Sequence, residues 1–204
     1  MIITIGNTKG GVGKSTIACN LAVTAACHGK KSLLIDADVQ GSSLTFRASR
    51  ERDDIQALAV TTPTLHKDLN RFSGLDLIII DSGGRDNAVF RSAIMASDAL
   101  IIPCLPSQVD FWAASDVIEI LKEARVYKDI TAYFLLNQLI PHTNLAKDAR
   151  EAIKDFDPEV KLLATVLHNR VAYKNSFGQG QGVIEWPDAK ASDEIKSLYQ
   201  ELFI

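Results

Sequence analysis

The stretch that decides the fold is Thr8-Lys9-Gly10-Gly11-Val12-Gly13-Lys14-Ser15-Thr16. It follows the apolar run Ile2–Ile5 and precedes an alanine-rich segment whose apolar residues recur at helical spacing from about Thr16 onward. A strand, a glycine-rich loop and a helix in this order form the arrangement that cradles phosphate groups. Glycine allows backbone N–H groups to turn toward an anion, and the helix start adds positive potential there. The stretch therefore predicts a site for nucleotide phosphates.

Two side chains of this loop carry specific expectations. Lys14 is expected to reach the β- and γ-phosphates, and the Ser15 hydroxyl is expected to ligate Mg²⁺. The general pattern has glycine at the position of Thr8, and Lys9 adds a second positive charge beside it. The alternative is a glycine-rich turn without a ligand, which the flanking strand and helix disfavour. The residues expected to bind nucleotide are Lys9, Gly10, Gly11, Val12, Gly13, Lys14, Ser15 and Thr16.

Composition sets the outer limits on function. The chain has 204 residues, 47% of them hydrophobic and 23% charged, which is typical of a folded globular protein. The formal charge of −3 means that any nucleic-acid binding must come from a local basic patch. The cysteines, Cys19, Cys27 and Cys104, have no metal-site spacing, so we expect buried free thiols in a reducing compartment. Without a signal-peptide pattern or an apolar stretch of membrane-spanning length, a cytoplasmic location is expected.

Strand and helix patterns alternate along the whole chain. Strands are predicted at 2–5, 32–35, 57–60, 75–80, 99–102, 130–136 and 161–166, and helices at 16–28, 43–52, 87–96, 110–127, 145–156 and 193–203. Pro103 and Pro106 are expected to break the chain into a loop. This alternation predicts an α/β fold, in which one domain of residues 1–204 has a mostly parallel sheet with helices on both faces.

Carboxylates follow two of the predicted strands. Asp36 and Asp38 leave the second strand two residues apart, and Asp81 ends a continuous apolar run. Ligands of parallel sheets bind beyond the carboxyl ends of the strands, which places these residues and Asn137 near the glycine loop. Oxygen ligands are what Mg²⁺ prefers, so Asp36 and Asp38 could both face the metal and the phosphates, and we expect Asp81 to hold the metal together with Ser15. Polar strand ends without a function remain the alternative for each aspartate taken alone.

These segments together resemble the ParA/MinD family of ATPases. The loop KGGVGKST is similar to the deviant Walker A form of that family, DADVQGS to its aspartate segment and LIIIDSGG to its Walker B strand. The region 103–112 resembles its proline-rich loop, and FLLNQLIPHT resembles its strand that ends in asparagine. The chain starts at the first strand and so resembles the short ParA proteins, which lack an N-terminal helix-turn-helix. The resemblance implies a P-loop fold that hydrolyses ATP with Mg²⁺.

The resemblance also implies roles for individual residues. Asp36 would organise the Mg²⁺ shell, Asp38 would position the hydrolytic water, and Asn137 would contact adenine. Lys9 would reach phosphates bound by a partner subunit, so the implied catalytic residues are Lys9, Lys14 and Asp38. Val39 stands where the family has proline, and Ser82-Gly83-Gly84 replaces a threonine-proline pair. Both departures predict a looser backbone near the metal.

The short ParA proteins act in DNA partition, and that function is the one the resemblance implies here. An ATP-bound homodimer, or a polymer of it, would bind nonspecific DNA on the nucleoid. A ParB-like centromere-binding protein would stimulate hydrolysis and release, and the cycle would position a plasmid or chromosomal cargo. The DNA contacts are expected at Arg170 and Lys174, in a loop after the last strand.

Two other branches stay open. A MinD-like protein would bind membrane through a C-terminal amphipathic helix, but the last predicted helix carries Asp193, Glu194 and Glu201 against Lys196, which suits anionic lipid poorly. Its apolar residues are expected to join the core instead, and no membrane partner is expected. A ligase of the dethiobiotin-synthetase type shares the fold but has no use for Lys9.

Overall fold

In the computed structural model, the strands of the described chain form one parallel sheet of seven, in the order β3-β2-β4-β1-β5-β6-β7. The structure describes residues 1–85, 87–106, 108–141, 143, 149–151, 153 and 159–203, with only the backbone for 70 and 108–113. The strands are β1 Ile2–Ile5, β2 Ser32–Ala37, β3 Gln56–Ala59, β4 Leu77–Ser82, β5 Ala99–Cys104, β6 Thr131–Leu139 and β7 Val160–His168. The predicted fold class, a parallel α/β sheet, is confirmed.

Helices cover both faces of this sheet. They are α1 Lys14–Cys27, α2 Ser42–Ser49, α3 Leu65–Asp68, α4 Ala88–Ala96, α5 Gln108–Arg125, α6 Val171–Gly178 and α7 Ala189–Phe203. Alternate residues of each strand point to opposite faces. Leu34 and Ile79 therefore pack in one core with α1, α2, α6 and α7, while Leu33 and Ile78 pack in another with α3 and α4. The strands are buried on both faces, which explains their continuous apolar sequences.

The register of the central strands sets the position of the site. Asp36 of β2 pairs with Asp81 of β4, and Ile5 of β1 pairs with Asp81 on the other side. All three strands run in the same direction and end at the same edge, which we call the rim. The glycine loop leaves β1 at this rim and α1 begins there, so the fold delivers loop and carboxylates to one place.

Pro103 was predicted to end the fifth strand and instead lies within β5. Proline cannot donate a hydrogen bond, yet β5 is an inner strand between β1 and β6. The register explains the exception, because β5 pairs with β1 only as far as Ile101. The Pro103 carbonyl accepts a hydrogen bond from Asn7 Nδ2 at 2.8 Å, so its nitrogen lies on the side where β1 has already ended.

The structure also corrects the prediction near the C-terminus. Residues 171–178 form α6, where a loop was predicted, and α7 begins at Ala189 instead of 193. The predicted helix at 145–156 lies mainly outside the described residues, of which 149–151 and 153 are helical.

The cysteines match their prediction only in part. They are unpaired, as expected, and Cys19 and Cys104 are buried. Cys27, the last residue of α1, is exposed. A helix end at the surface leaves one side of its last turn uncovered, which the apolar pattern alone does not reveal.

Candidate functional site

Within the phosphate loop, residues 8–16, the backbone at position 13 has a conformation that only glycine accommodates. Gly13 precedes α1 with φ of +91°, in the left-handed region. A Cβ there would lie 2.3 Å from Asn137 Nδ2, well inside contact distance. Both the backbone angle and the close approach of Asn137 therefore require glycine. The helix starts directly after it, at Lys14, two residues earlier than predicted.

Lys14 is held inside the loop. Its side chain is only 7% exposed, and Nζ donates to the Lys9 carbonyl at 3.0 Å. Burial lowers the pKa of Lys14, while the nearby charges of Asp81 and Asp38 oppose that shift. In this arrangement the ammonium group already lies where the phosphates of a nucleotide are expected, and the Lys9 carbonyl takes only one of its three N–H donors.

The two carboxylates at the strand ends are buried side by side. Asp36 and Asp81 are register partners in parallel strands, so both side chains point to the face that α1 covers. Each oxygen of Asp36 accepts a backbone N–H, from Asp38 at 3.1 Å and from Leu44 at 3.0 Å. Asp81 Oδ2 accepts from the Ser43 hydroxyl at 2.7 Å. Asp36 is thus satisfied within the chain, whereas Asp81 is satisfied only in part.

The other oxygen of Asp81 has no hydrogen-bond partner in the described part of the chain, although Asp81 is fully buried. Burial raises the pKa of Asp81 to about 7, and the Asp36 charge adds to the rise. The Ser43 and Ser15 hydroxyls lower that pKa but do not outweigh burial. A buried carboxylate oxygen without a donor is costly, unless a ligand completes it.

This donor set fits Mg²⁺. Within the described residues, no three His, Cys, Asp or Glu side chains are grouped as a ready metal site. The ion would instead be held by Asp81 Oδ1 and the Ser15 hydroxyl, with water and phosphate oxygens completing the shell and Asp36 supporting it from the neighbouring strand. When bound, it would neutralise charge on the phosphates.

Asp38 lies nearer the surface than Asp36 and Asp81, in a cleft of about 920 Å³ beside the phosphate loop. Its Oδ1 accepts the Gln40 N–H at 3.0 Å, and the carboxylate is partly exposed. A Cβ at Gly83 would lie 3.6 Å from its Cγ, and one at Gly84 would lie 3.4 Å from Lys14 Nζ. The Gly83-Gly84 turn thus lies beside both groups, at distances that would give a Cβ ordinary van der Waals contact.

A second, smaller cavity of about 90 Å³ lies on the other side of the phosphate loop, at the ends of β6 and β7. Asn137 Nδ2 donates to the Val12 carbonyl at 2.7 Å, and its Oδ1 accepts the Gln138 N–H at 2.9 Å. Gln138 has φ of +56°, and its Nε2 donates to the Gly11 carbonyl at 2.9 Å. Two consecutive amides therefore brace the phosphate loop.

The comparisons with known proteins agree with this geometry. The model of the family described as "CobQ/CobB/MinD/ParA nucleotide binding domain" matches residues 3–183. The chain belongs to that family. The "Maintenance of carboxysome distribution protein A" of Halothiobacillus neapolitanus is 27% identical over 218 residues, which cover 98% of this chain and 95% of that protein. The "Chromosome-partitioning ATPase Soj" of Thermus thermophilus is 29% identical over 150 residues, 58% of this chain and 59% of that protein.

A solved structure gives the same fold over the full length. The ATP complex of a Cyanothece McdA variant superposes with a TM-score of 0.84 at 17% identity, covering 100% of this chain and 96% of that chain. As a member of the ParA/MinD family, the chain is an ATPase, and ATP and Mg²⁺ are its cofactors. None of the helices in the described part of the chain is long and apolar enough to cross a membrane.

For this ParA/MinD ATPase, the structure brings most of the predicted site residues together. Lys14, Ser15, Asp38 and the loop glycines line the cleft, with Asp36 and Asp81 buried below. Their individual roles remain predictions. Asn137 lies beside the smaller cavity, and each end of its amide makes one hydrogen bond within the chain, which leaves one N–H and one lone pair for a contact with adenine.

The two residues predicted to contact DNA differ from each other. Lys174 is exposed on α6, while Arg170 is only 19% exposed and donates through Nε and Nη2 to Glu194 Oε1 at 2.9 and 2.7 Å. Glu194 also accepts from the His168 N–H, from His168 Nδ1 and from the Tyr173 hydroxyl. We call these four residues the Glu194 network. Arg170 therefore helps to link β7, α6 and α7 through Glu194.

Sequence reasoning missed three residues of the site, Ser43, Arg85 and Gln138. Ser43 contacts Asp81 from α2, a helix whose weak pattern gave no reason to look for it. Gln138 follows the predicted asparagine, and Arg85 follows the glycine pair after the Walker B strand. A polar side chain within three residues of a strand end at the rim is the signal that would have found both.

Proposed function

We propose that this ATPase is a DNA partition ATPase, whose ATP-bound dimer binds nonspecific DNA and is switched off by hydrolysis. A ParB-like protein would stimulate that hydrolysis, and the cycle would position a plasmid or chromosomal cargo on the nucleoid in the cytoplasm. The observation that carries the proposal is Lys9, a second lysine in the phosphate loop that Lys14 does not explain. The Thermus relative named for chromosome partitioning supports it.

A dimer would explain why the phosphate loop carries Lys9. Its backbone is fixed at both ends, because its N–H donates to Asn7 Oδ1 at 2.9 Å and its carbonyl accepts from Lys14 Nζ. Two subunits that face each other across their clefts would bring two sets of phosphates together, and an added lysine from each would offset the repulsion. Lys9 would therefore act across the interface on the nucleotide of the partner subunit.

Sedimentation of the Asp38→Ala protein tests the dimer, because slow hydrolysis should preserve the ATP state. We expect a dimer with ATP and Mg²⁺ and a monomer with ADP. Adding Lys9→Ala should abolish the dimer while monomeric ATP binding persists. A double variant that still dimerises with ATP would show that Lys9 does not act across the interface.

DNA binding would come from exposed lysines near the Glu194 network. Lys174 on α6 and Lys190 on α7 are exposed, and each lines a surface cavity together with Arg170. A chain of charge −3 has little reason to bind DNA as a monomer. A dimer would set two such patches side by side and could raise affinity by avidity, commonly ~10²–10⁴-fold when the geometry permits.

Anisotropy titrations on two unrelated duplexes test the DNA step at two salt concentrations. ATP with Mg²⁺, but not ADP, should give binding that is independent of sequence and weakens steeply with salt. Lys174→Ala combined with Lys190→Ala should weaken it on both duplexes and leave ATP affinity intact. Lys30→Ala is the matched control, because this exposed lysine follows the far end of α1, away from the rim.

A membrane-binding function is the first alternative outcome. Ile195 and Leu198 of α7 are fully buried in the core, and Glu201 accepts the N–H groups of Ala164 and Thr165. The apolar face of α7 is therefore already covered, which disfavours a lipid-binding helix. ATP-dependent binding to anionic vesicles in place of DNA would nevertheless establish the membrane branch, and indifference to both surfaces would favour a metabolic ligase.

A protein cargo is the second candidate, favoured by the relative named for carboxysome distribution. The ATP and DNA steps would be the same and only the cargo would differ. Deleting the gene from the replicon that carries it distinguishes DNA partition from the positioning of a protein cargo. Faster loss of that replicon from growing cells supports DNA partition, whereas unchanged inheritance supports a protein cargo.

A further inference from the structure

Arg85 lies in the wall of the phosphate cleft with no assigned role. It follows the Gly83-Gly84 turn at the end of β4. The close approach of this turn to Lys14 Nζ and to the Gly10 backbone, 3.4 and 3.5 Å from a Cβ built at Gly84, puts the next residue beside the phosphate loop. Consecutive Cα atoms are about 3.8 Å apart, so the Arg85 backbone is only one such step away from that contact.

The guanidinium of Arg85 also differs from the other arginines of the chain. It makes no ion pair or hydrogen bond to any described residue, and the side chain is exposed. Every other arginine has at least one such partner; these are Arg47, Arg50, Arg52, Arg71, Arg91, Arg125, Arg150 and Arg170. Arg85 is thus a cation in the cleft whose donors are available to a ligand.

The position of Arg85 selects one part of that ligand. The turn before it packs against Lys14, which is expected to reach the β- and γ-phosphates, and against Asp38, which is expected to face the hydrolytic water. The group expected between those two is the terminal phosphate of a bound ATP. A guanidinium presents a planar fork of donors that matches phosphate oxygens, and such charge-assisted hydrogen bonds are among the stronger ones.

We propose that Arg85 binds the terminal phosphate of the ATP held by its own chain, and that this contact makes the site prefer ATP over ADP. The Gly83-Gly84 turn contributes to this contact by placing Arg85 next to the phosphate loop. The proposal rests on the ATPase assignment and is independent of dimerisation, DNA and cargo.

Calorimetric titration with AMPPNP and with ADP, both with Mg²⁺, tests the contact without turnover. Arg85→Ala should weaken AMPPNP binding about tenfold or more, as expected for a lost charged hydrogen bond, and change ADP binding by less than about twofold. Arg85→Lys should recover part of the loss. The control is Arg91→Ala, since Arg91 on α4 pairs with Glu123 and does not line the cleft.

Three results would overturn the proposal. Unchanged AMPPNP affinity would mean that Arg85 does not touch the nucleotide. Equal losses for AMPPNP and ADP would mean that it contacts an inner phosphate or only shapes the cleft. A loss that appears only at high protein concentration would place the contact across an interface. Failure of DNA binding in the same protein would affect none of these outcomes.

Discussion

The rim has two halves whose polar groups are satisfied in different ways. In the phosphate half, at the ends of β1, β2 and β4, Asp81 Oδ1 and the Arg85 guanidinium lack partners among the described residues. In the other half, at the ends of β6 and β7, the residues of the Glu194 network bond one another, and each end of the Asn137 amide has a partner within the chain. The first half is incomplete without a ligand, whereas the second holds the fold together.

This difference shows how to separate binding groups from structural ones. A charge at a rim is a weak indication by itself, because both halves are rich in charges. The informative feature is whether that charge has found a partner within the chain. Arg170 and Arg85 illustrate it: both follow strands that end at the rim, but only Arg170 has a carboxylate of its own.

Asp38→Ala should have the largest effect in the phosphate half. If Asp38 positions water, ATP hydrolysis should fall ~10²–10⁴-fold, in the range of lost acid–base assistance, while ATP affinity stays close to that of the parent. Phosphate release under saturating ATP and a binding titration measure the two quantities. Normal hydrolysis in this variant would show that the water is positioned by another group.

Lys14→Ala should come next. Removing the ammonium group from the phosphates should weaken both ATP and ADP on the order of 10–100-fold, as expected for one or two charged hydrogen bonds. Lys30→Ala removes the same charge far from the rim and should leave both affinities unchanged. Calorimetric titration measures the ratio, and equal affinities in the Lys14 and Lys30 variants would contradict the assignment.

Arg170→Ala and Lys174→Ala should differ in their effect on the free energy of unfolding. Arg170→Ala breaks the Glu194 network and should lower the free energy of unfolding by about 2–3 kcal/mol, because it leaves Glu194 with fewer donors. Lys174→Ala should change stability by less than about 0.5 kcal/mol, as usual for an exposed residue. Urea denaturation compares the two. Equal stability of the variants would remove the structural role of Arg170.

The sequence was most informative where local chemistry and topology agree. The phosphate loop, the two aspartates and the run into Asp81 could be placed correctly, because a parallel sheet brings successive strand ends to one edge. Pro103 could not, since its place in β5 depends on where the neighbouring strand stops. The α6 helix was missed because its apolar face is short, and packing against α1 and α2 stabilises it more than its own pattern does.

The sequence also could not predict whether each charged side chain has a partner within the chain. Asp36, Asp81 and Glu194 look alike as acidic residues, and only the tertiary contacts show that Asp81 alone keeps an oxygen without a donor in the described chain. The same holds for Arg170 against Lys174, whose difference depends on a carboxylate 24 positions away in the chain from Arg170.

The sign of the pH dependence follows from the pKa of Asp81. Because its folded-state pKa is raised from 3.8 to about 7, the folded protein binds a proton there that the unfolded chain has lost. The contribution of Asp81 to stability therefore falls as pH rises from about 4 to about 7, and its full cost is present above about 7. Asp81→Asn removes that charge at every pH.

Denaturation of the nucleotide-free protein at pH 8 tests the contrast between the two halves most directly. Asp81→Asn should raise the free energy of unfolding by up to about 4 kcal/mol, and by about 2 kcal/mol at pH 5. Glu194→Gln should lower it by about 2–4 kcal/mol, because the charged partner of Arg170 is lost. Opposite signs for the two variants are the result predicted here. A loss of stability in both would contradict it, because Asp81 would then be as well satisfied by the empty protein as Glu194 is.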